Sequence, residues 1–308
     1  MPFEFGPAIG AALLWALSAQ VVNDGLARLK RAPATGGDGI LVALALALAC
    51  GFLVIWAISG LANPLGAVSW RVFAAGLLTF PIGTGLYYLC SVAWSGKAEL
   101  ASQFANVKPV MSIAIGTLLF GEALGARGAV TALLILLGVL LIVRRALREG
   151  KGAGQQSNRA ILLGLALALS WSAGEAFIFS ETGGASSLRI TLGALASSLL
   201  VVLALLLGRG LARPALLAGL PRQAAALWPF AVHGVLSFGL AYGLFFHSIR
   251  QLGLSHTVMI TVAWPILSFA IGYARSKMRG EAFPVDRTLL TAMLLFAVAS
   301  LGYVLSGL

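Results

Sequence analysis

A single lysine in the middle of a long apolar run is the residue best placed to do chemistry in this chain. Lys108 lies roughly ten residues from either end of the stretch 98–122, too deep for its side chain to reach an interface comfortably. A charged group there costs at least about 2.5–3.5 kcal/mol, so it must face a polar cavity or a partner. In a cavity, Lys108 would hold a carboxylate or a phosphate. Arginine suits phosphate better, which favours a carboxylate.

Two interpretations of Lys108 are open. It is either a substrate anchor, or a lysine neutralised by an acidic residue elsewhere in the bundle or by loss of its proton on burial. Glu175 is the candidate partner, since it lies one turn after Trp171 in another apolar run and shares its helix face. Two interpretations of this carboxylate are equally favoured: it is a proton-coupling group, or it is the ion-pair partner of Lys108.

Polar and kinking residues surround Lys108. Gln103 and Asn106 could add polar contacts to a substrate, but on a regular helix Asn106 points about 160° away from Lys108, at 100° per residue. The two side chains therefore share a cavity only if Pro109 distorts the helix. Pro109 lacks an N–H, so it is expected to bend the span and free a carbonyl group, and Pro265 is expected to do the same later in the chain.

Aromatic residues in the middle of other apolar runs could form the walls of a binding cavity. Packing in the core or at the membrane interface is the alternative for each of them. His233 is a further candidate cavity residue, for which a hydrogen-bonded core histidine is the favoured interpretation. The aromatic candidates are Trp15, Trp171, Trp264, Tyr88 and Tyr242.

Several classes of function are excluded by what the sequence lacks. It has no H-E-x-x-H motif, no phosphate-binding P-loop and no clustered carboxylates, so we expect no enzyme, no metal and no cofactor. Cys50 and Cys90 fall inside apolar runs, which does not indicate a disulfide framework. The net charge of +11 comes from basic residues in the connections between runs, where they meet lipid headgroups, so nucleic acid is not an expected partner.

The elements that must position these residues are membrane-spanning helices. The chain is 59% hydrophobic and 10% charged, with a mean hydropathy of +0.96, whereas soluble domains carry about 25% charged residues. Its apolar runs have the length of helices that cross a bilayer. The sequence therefore predicts an all-α integral membrane protein with ten spans: 7–26, 39–59, 67–94, 98–120, 126–146, 160–180, 186–208, 226–248, 255–276 and 287–306.

The two halves of the chain resemble each other. Residues 1–149 and 160–308 form the two predicted domains, joined by a Gly-rich linker at 150–159. Because each half holds an odd number of spans, the second must enter the membrane from the opposite side, which is an inverted repeat around a central cavity. The matched features are Trp15 with Trp171, 85–88 with 239–242, Pro109 with Pro265, and Gly121-Glu122 with Gly280-Glu281.

These matched motifs resemble those of the EamA-type transporters of the drug/metabolite transporter superfamily, over essentially the whole chain. The resemblance implies ten helices in two inverted five-helix repeats around a central cavity. It also implies transport of a small metabolite, such as an amino acid, a nucleotide sugar or a toxic cation. It fixes the class of function and leaves the substrate open.

Basic residues predict the orientation. With the ten spans above, sixteen lie in the odd-numbered connections and four in the even-numbered ones. This bias places the odd connections in the cytoplasm and both termini outside, whereas the resembled family commonly keeps both termini inside. The expected location is a bacterial inner (plasma) membrane.

The function expected from the sequence is secondary transport, driven by a gradient or facilitative, of a small metabolite. An exporter of amino acids or related amphipathic carboxylates, working by alternating access, fits Lys108 and the aromatic residues best. The alternative is a flippase or carrier for a lipid-linked or phosphorylated metabolite. A cation exporter is disfavoured, since a central lysine repels its cargo. The expected partners are the substrate and membrane lipids, and both a monomer and a dimer are compatible with ten spans.

Overall fold

The chain is helical throughout its described part. The computed structural model describes residues 4–31, 36–64, 66, 68–93, 106–150, 155–212, 226–280 and 286–307. Nine helical stretches in these ranges are long and apolar enough to cross a membrane. The predicted span 98–120 is represented by a shorter apolar helix of 11 residues, Lys108–Leu118, because residues 98–105 lie outside the described part.

The helices follow the predicted spans closely. Helices in the first half are α1 Gly6–Arg31, α2 Gly36–Ile58, α3 Trp70–Leu77, α4 Gly85–Ala93, α5 Lys108–Leu118 and α6 Gly125–Gly150. Helices in the second half are α7 Gln155–Glu181, α8 Ser187–Ala212, α9 226–233, α10 Tyr242–Leu252, α11 Leu254–Thr261, α12 Trp264–Met278 and α13 Arg287–Leu305. Of the predicted linker 150–159, residues 155–159 already belong to α7.

The outer surface is apolar, as a lipid environment requires. Large aliphatic side chains remain exposed along the helices, among them Leu133, Leu169 and Leu294, which are 55%, 57% and 63% exposed. In water such a surface would be costly, whereas in a bilayer it faces hydrocarbon, and the helices satisfy their own backbone hydrogen bonds. The protein is therefore a multi-pass integral membrane protein.

The third and eighth predicted spans both contain a π-helical segment near their middle. Leu78–Thr84 joins α3 to α4 and contains Pro81, which cannot donate a backbone hydrogen bond. Gly234–Ala241 joins α9 to α10 at the corresponding place in the second half. Wide helical turns of this kind are uncommon and are often found at functional sites.

The fourth and ninth predicted spans are marked by a second matched irregularity. Asn106 and Val107 form a turn before α5, which starts with Lys108 and Pro109. In the second half, α11 ends at Thr261 and two turn residues follow before α12 starts with Trp264 and Pro265. Each proline thus lies in the first turn of the segment that follows, and because it has no N–H it interrupts the helical hydrogen bonds of its span there.

The helices of the two halves pack in reciprocal pairs. Helix α1 packs against α12 and the second π-helical segment, and α7 packs in the same way against α5 and the first π-helical segment. Helix α2 contacts the second π-helical segment, and α8 contacts α3. Two further contacts, α2 with α8 and α6 with α13, each join an element to its counterpart in the other half, and the contact of α5 with α11 joins the fourth predicted span to the ninth.

Ion pairs group helix ends on one side of the molecule, which we name the basic side. Here Asp24 near the end of α1 contacts Arg275 near the end of α12, and Asp38 in α2 is 3.0 Å from Arg209 near the end of α8. Arg145 in α6 is 2.6 Å from Asp286, which also caps α13. On the opposite side, Arg71 in α3 is 3.5 Å from Glu181 at the end of α7.

A carboxylate joins the two halves on that opposite side. Glu122 follows Gly121, whose φ of +68° suits a residue without a Cβ atom. Its two carboxylate oxygens accept hydrogen bonds from the backbone N–H groups of Leu254, at 2.6 Å, and Ser255, at 2.7 Å. Glu122 therefore caps the start of α11. Gly280 has the same φ of +68°, and Glu281 lies outside the described residues.

Helix α2 and the second π-helical segment approach each other closely because of glycines. A Cβ atom on Gly234 would lie 2.1 Å from the carbonyl oxygen of Ala47, and one on Gly51 would lie 2.7 Å from Cβ of Phe238. No side chain fits at either position without displacing the backbone or its neighbour. The contact between these elements therefore depends on glycine.

Candidate functional site

A cavity of about 460 Å³ lies between the two halves. Its wall includes residues of both π-helical segments, of both proline-led helices, and of α1, α4, α7, α10, α11 and α13. Towards the basic side, the wall includes Asn23, Tyr87 and Gly272. Nine of the residues singled out from the sequence line it: Trp15, Asn106, Lys108, Pro109, Trp171, His233, Tyr242, Trp264 and Pro265.

Lys108 forms an ion pair with Glu175 at the wall of this cavity. Its ammonium group contacts Oε1 of Glu175, and the Ser112 hydroxyl donates a 2.7 Å hydrogen bond to Oε2. Ser172 lies beside them, with its hydroxyl 3.0 Å from that of Ser112 and donating to the carbonyl oxygen of Lys108 at 3.2 Å. Helices α5 and α7 therefore meet through a compact polar cluster inside an apolar bundle.

The two partners of this ion pair differ in their access to the cavity. The Lys108 side chain is 17% exposed and lines the cavity, whereas the Glu175 side chain is 1% exposed and lies behind it. The ammonium group also lies 5.6 Å from the ring centre of Trp15 and 5.2 Å from that of Phe245. Both distances permit cation–π attraction. The charge presented to the cavity is therefore positive.

Asn106 and Lys108 line the same cavity, although a regular helix would point them apart. The helix begins only at Lys108, and Asn106 belongs to the preceding turn. The 100° spacing on which the expected separation rests does not apply across that turn. Asn106 thus lies where it can contribute to the cavity together with Lys108, and Gln103 lies outside the described residues.

Both prolines interrupt the helical hydrogen-bonding pattern of their spans. Pro109 and Pro265 each occupy the first turn of the segment that follows the interruption. The residues before Pro265, Val262 and Ala263, keep right-handed helical backbone angles, and Leu254–Met278 is one helix of membrane-spanning length. After Pro265 the helical pattern resumes with the Leu267 N–H bonded to the Ala263 carbonyl at 3.1 Å. The bend expected at each proline stays a prediction.

The tryptophans lie against elements of the opposite half. Trp15 packs on Tyr242, with ring centres 5.2 Å apart, and on Phe245 at 5.0 Å. Trp171 donates a 3.0 Å hydrogen bond from Nε1 to the carbonyl oxygen of Thr79 in the first π-helical segment. This bond uses a carbonyl group in a part of the helix where the α-helical pattern is interrupted.

Tyr88 was expected in the cavity wall and does not lie there. Its side chain is 0% exposed and packs on Phe230, with ring centres 5.3 Å apart, and on His233 at 5.9 Å. The neighbouring Tyr87 lines the cavity and donates to Asn23 at 3.3 Å. Adjacent helical residues point about 100° apart, so only one of the two tyrosines can face the cavity.

His233 lines the cavity but is held in the core. Its Nδ1 atom lies 2.6 Å from the hydroxyl of Ser18 in α1, and its ring packs on Tyr88 and Phe238. This hydrogen-bonded arrangement corresponds to the favoured interpretation of this histidine. Among the described residues, no group of three or more His, Cys, Asp or Glu side chains could hold a metal ion.

Polar residues of α1 that were not singled out also face the cavity. Gln20 donates to the Ser268 carbonyl oxygen at 3.0 Å and lies 3.2 Å from its hydroxyl. Ser18 and Asn23 lie on the same helix and also line the cavity. The sequence contained a signal for this face, because three polar side chains within six residues of an apolar run indicate a face that avoids lipid.

Comparison with known proteins identifies the fold alone. No protein-family model matches the sequence, and no curated protein sequence matches it. One solved structure, described only as the crystal structure of a protein, superposes with a TM-score of 0.67. The match covers 96% of this chain and 94% of that chain at 17% sequence identity. At this identity, the chain is similar to that protein in overall architecture.

Proposed function

We propose that the protein is a secondary transporter for a small metabolite, built as two inverted five-helix repeats of the EamA type. The reciprocal helix contacts support this arrangement, as do the π-helical segments and proline-led helices at corresponding places in the two halves. Discontinuous helices whose ends meet a central cavity are typical of secondary transporters.

The substrate class that fits the cavity best is an amphipathic carboxylate, with amino acids included. The observation that carries the proposal is Lys108, a cation at the cavity wall between the rings of Trp15 and Phe245. Its charge suits a carboxylate, and aromatic side chains suit the apolar part of the substrate. The cavity volume of about 460 Å³ is in the range of small-molecule sites.

Alternating access would arise from movement of the two halves around this cavity. The Glu122 cap joins the halves on the side opposite to the basic side, while the cavity wall extends towards the basic side through Asn23 and Tyr87. If the basic side is cytoplasmic, as its charge indicates, this conformation receives substrate from the cell interior. That orientation favours export.

Transport by purified protein in liposomes tests the proposal. The probes are labelled L-phenylalanine, phenylacetate and phenethylamine, which share a phenyl ring and differ in charge. We expect transport of one or both carboxylates, no transport of phenethylamine, and loss of transport in Lys108→Gln. Arg71→Gln, which removes a basic residue outside the cavity, is the matched control. The absence of transport of every probe would contradict the proposal, and unchanged transport in Lys108→Gln would exclude the anchor role.

A further inference from the structure

Lys108 has one ammonium group, and two carboxylates would need it: that of Glu175 and that of a substrate. In this structure the ammonium contacts Glu175, while a substrate carboxylate is expected to need the same group. Among the described residues that line the cavity, Lys108 is the one lysine or arginine. A substrate anion therefore competes with Glu175 for Lys108.

We propose that an anionic substrate takes Lys108 from Glu175, and that Glu175 binds a proton from water as it loses its partner. This inference rests on the proposed transport function and assigns Glu175 as its proton-coupling site. The charges balance: the substrate anion pairs with the ammonium, and the carboxylate of Glu175 becomes a neutral carboxylic acid. One proton is taken up for each monovalent anion bound.

Burial is the reason that Glu175 cannot stay charged without Lys108. Its side chain is 1% exposed, and water does not replace a lost partner at such a site. The Ser112 hydroxyl remains at 2.7 Å, and one neutral donor is a weak substitute for an ammonium group. Tyr242 in the cavity wall carries a phenol group, which adds no positive charge.

The serine cluster suits both protonation states of Glu175. A serine hydroxyl donates one hydrogen bond and accepts others, and it rotates to suit its partner. Ser112 donates to the carboxylate in this structure and can accept from the protonated acid after rotation, with the hydroxyl of Ser172 lying 3.0 Å away as its next partner. The protonated state therefore keeps its hydrogen bond without a change in the backbone.

Four other charged or titratable groups on neighbouring elements contact partners other than Glu175. Arg71 of α3 contacts Glu181 at the far end of α7, and His247 of α10 lies 3.2 Å from the Ser187 hydroxyl. His233 contacts Ser18, and His256 of α11 contacts Tyr303. Among the described residues, Lys108 is thus the cation in contact with Glu175.

Binding and proton uptake must then be linked. A carboxylate ligand that brings about one proton with it binds about tenfold more tightly for each unit by which the pH falls, while ligand and Lys108 stay ionised. A zwitterionic ligand differs, because its own ammonium could take the place of Lys108 beside Glu175. Phenylacetate, which has no ammonium group, is therefore the decisive probe.

Calorimetry of phenylacetate binding to the full-length purified protein tests this. Titrations at a single pH in two buffers of different ionisation enthalpy give the number of protons taken up. We expect about one proton per phenylacetate for the wild type, and an affinity that rises about tenfold for each unit by which the pH falls wherever one proton is taken up. In Glu175→Gln we expect no proton uptake and an affinity independent of pH. Glu181→Gln, the control on the same helix, is expected to match the wild type.

The wild-type measurement decides the question even if Glu175→Gln folds poorly. Phenylacetate binding without proton uptake by the wild type would overturn this inference and leave the transport function standing. Equal proton uptake by the wild type and a folded Glu175→Gln protein would also overturn it, by placing the proton elsewhere. If none of the carboxylate probes is bound or transported, the proposed function and this inference fall together.

Discussion

At the scale of single residues, the polar centre of the protein is a contact between two helices that also faces a cavity. Lys108 and Glu175 hold α5 against α7, with Ser112 and Ser172 completing the cluster. Removal of one member leaves the other as a buried charge without a partner, whereas removal of both leaves no charge. Loss of one member is therefore expected to reduce stability more than loss of both. The same pair therefore has structural and functional consequences that can be separated.

Removal of Lys108 alone is expected to destabilise the protein strongly. Lys108→Met leaves Glu175 buried without its cation, at a cost of about 3 kcal/mol in the free energy of unfolding, and the double variant Lys108→Met/Glu175→Gln is expected to recover part of it. Equilibrium unfolding in mixed detergent micelles measures both. In the control pair Arg71 is 45% exposed and Glu181 is 19% exposed, and because water can replace this contact Arg71→Met is expected to cost less than about 1 kcal/mol. An equal loss of unfolding free energy in Lys108→Met and Arg71→Met would contradict this expectation.

The sequence identified the charged residues that lie inside apolar runs. Lys108 and Glu175 could be found because ionised groups are expensive in an apolar run, and this cost does not depend on the details of packing. The choice between Tyr87 and Tyr88 could not be made, because it depends on the rotation of a helix that contains a π-helical segment. Gln20 and Asn23 are also polar residues in an apolar run, but because they are uncharged their position indicates a polar cavity less strongly than that of Lys108.

At the scale of elements, irregular helices surround the cavity. Two π-helical segments and two proline-led helices contribute to its wall. A proline predicts where the helical hydrogen bonds are interrupted, but not the angle between the segments on either side. Here the turns Asn106–Val107 and Val262–Ala263 mark the interruptions, and Val262 and Ala263 keep right-handed helical backbone angles.

The contact between α2 and the second π-helical segment is expected to tolerate no added methyl group. Gly234→Ala would place a Cβ atom 2.1 Å from the Ala47 carbonyl oxygen, and overpacking of this kind costs about 1–3 kcal/mol. Thermal unfolding in detergent measures the loss. Gly208→Ala on α8 meets nothing within 4 Å and is expected to leave stability unchanged or raise it by up to about 1 kcal/mol. A Gly234→Ala protein as stable as Gly208→Ala would contradict the packing.

The cap that Glu122 provides for α11 is expected to stabilise the protein measurably. Glu122→Ala removes the acceptor of the Leu254 and Ser255 N–H groups, at an expected cost of about 1–2 kcal/mol. Glu122→Gln keeps one oxygen acceptor and is expected to lie between the wild type and Glu122→Ala. Unfolding free energies of the three proteins give the order, and a Gln variant weaker than the Ala variant would argue against the cap.

At the scale of the whole molecule, nine of the ten predicted spans correspond to helical stretches of membrane-spanning length in the described residues. Apolar length is set by the bilayer, so it is readable from the sequence without knowledge of contacts. The pairing of α1 with α12 and of α7 with α5 was not readable, because it depends on how surfaces from distant parts of the chain fit together. The matched motifs predicted a repeat but not which helices would touch.

Orientation in the membrane is the prediction that belongs to this scale. Sixteen basic residues in the odd connections against four in the even ones predict that the basic side lies in the cytoplasm and that both termini lie outside. Alkaline phosphatase fused after residue 308 is therefore expected to be active in bacterial cells, and a fusion after residue 152 inactive. Green fluorescent protein at the same positions gives the complementary pattern. The reverse pattern would show that the termini lie inside, and the cavity would then face outwards.

The placement of Lys108 beside Pro109 has a consequence for how such a protein can change over time. In the second half, the corresponding position before Pro265 holds Trp264, and both side chains reach the same cavity. The proline fixes where the helix starts, while the residue before it determines what the cavity presents. Mutation at that position alters the charge that the cavity presents, but in the first half it also removes the cation that pairs with the buried Glu175. A change of cavity charge at this position is therefore expected to need a second change at Glu175.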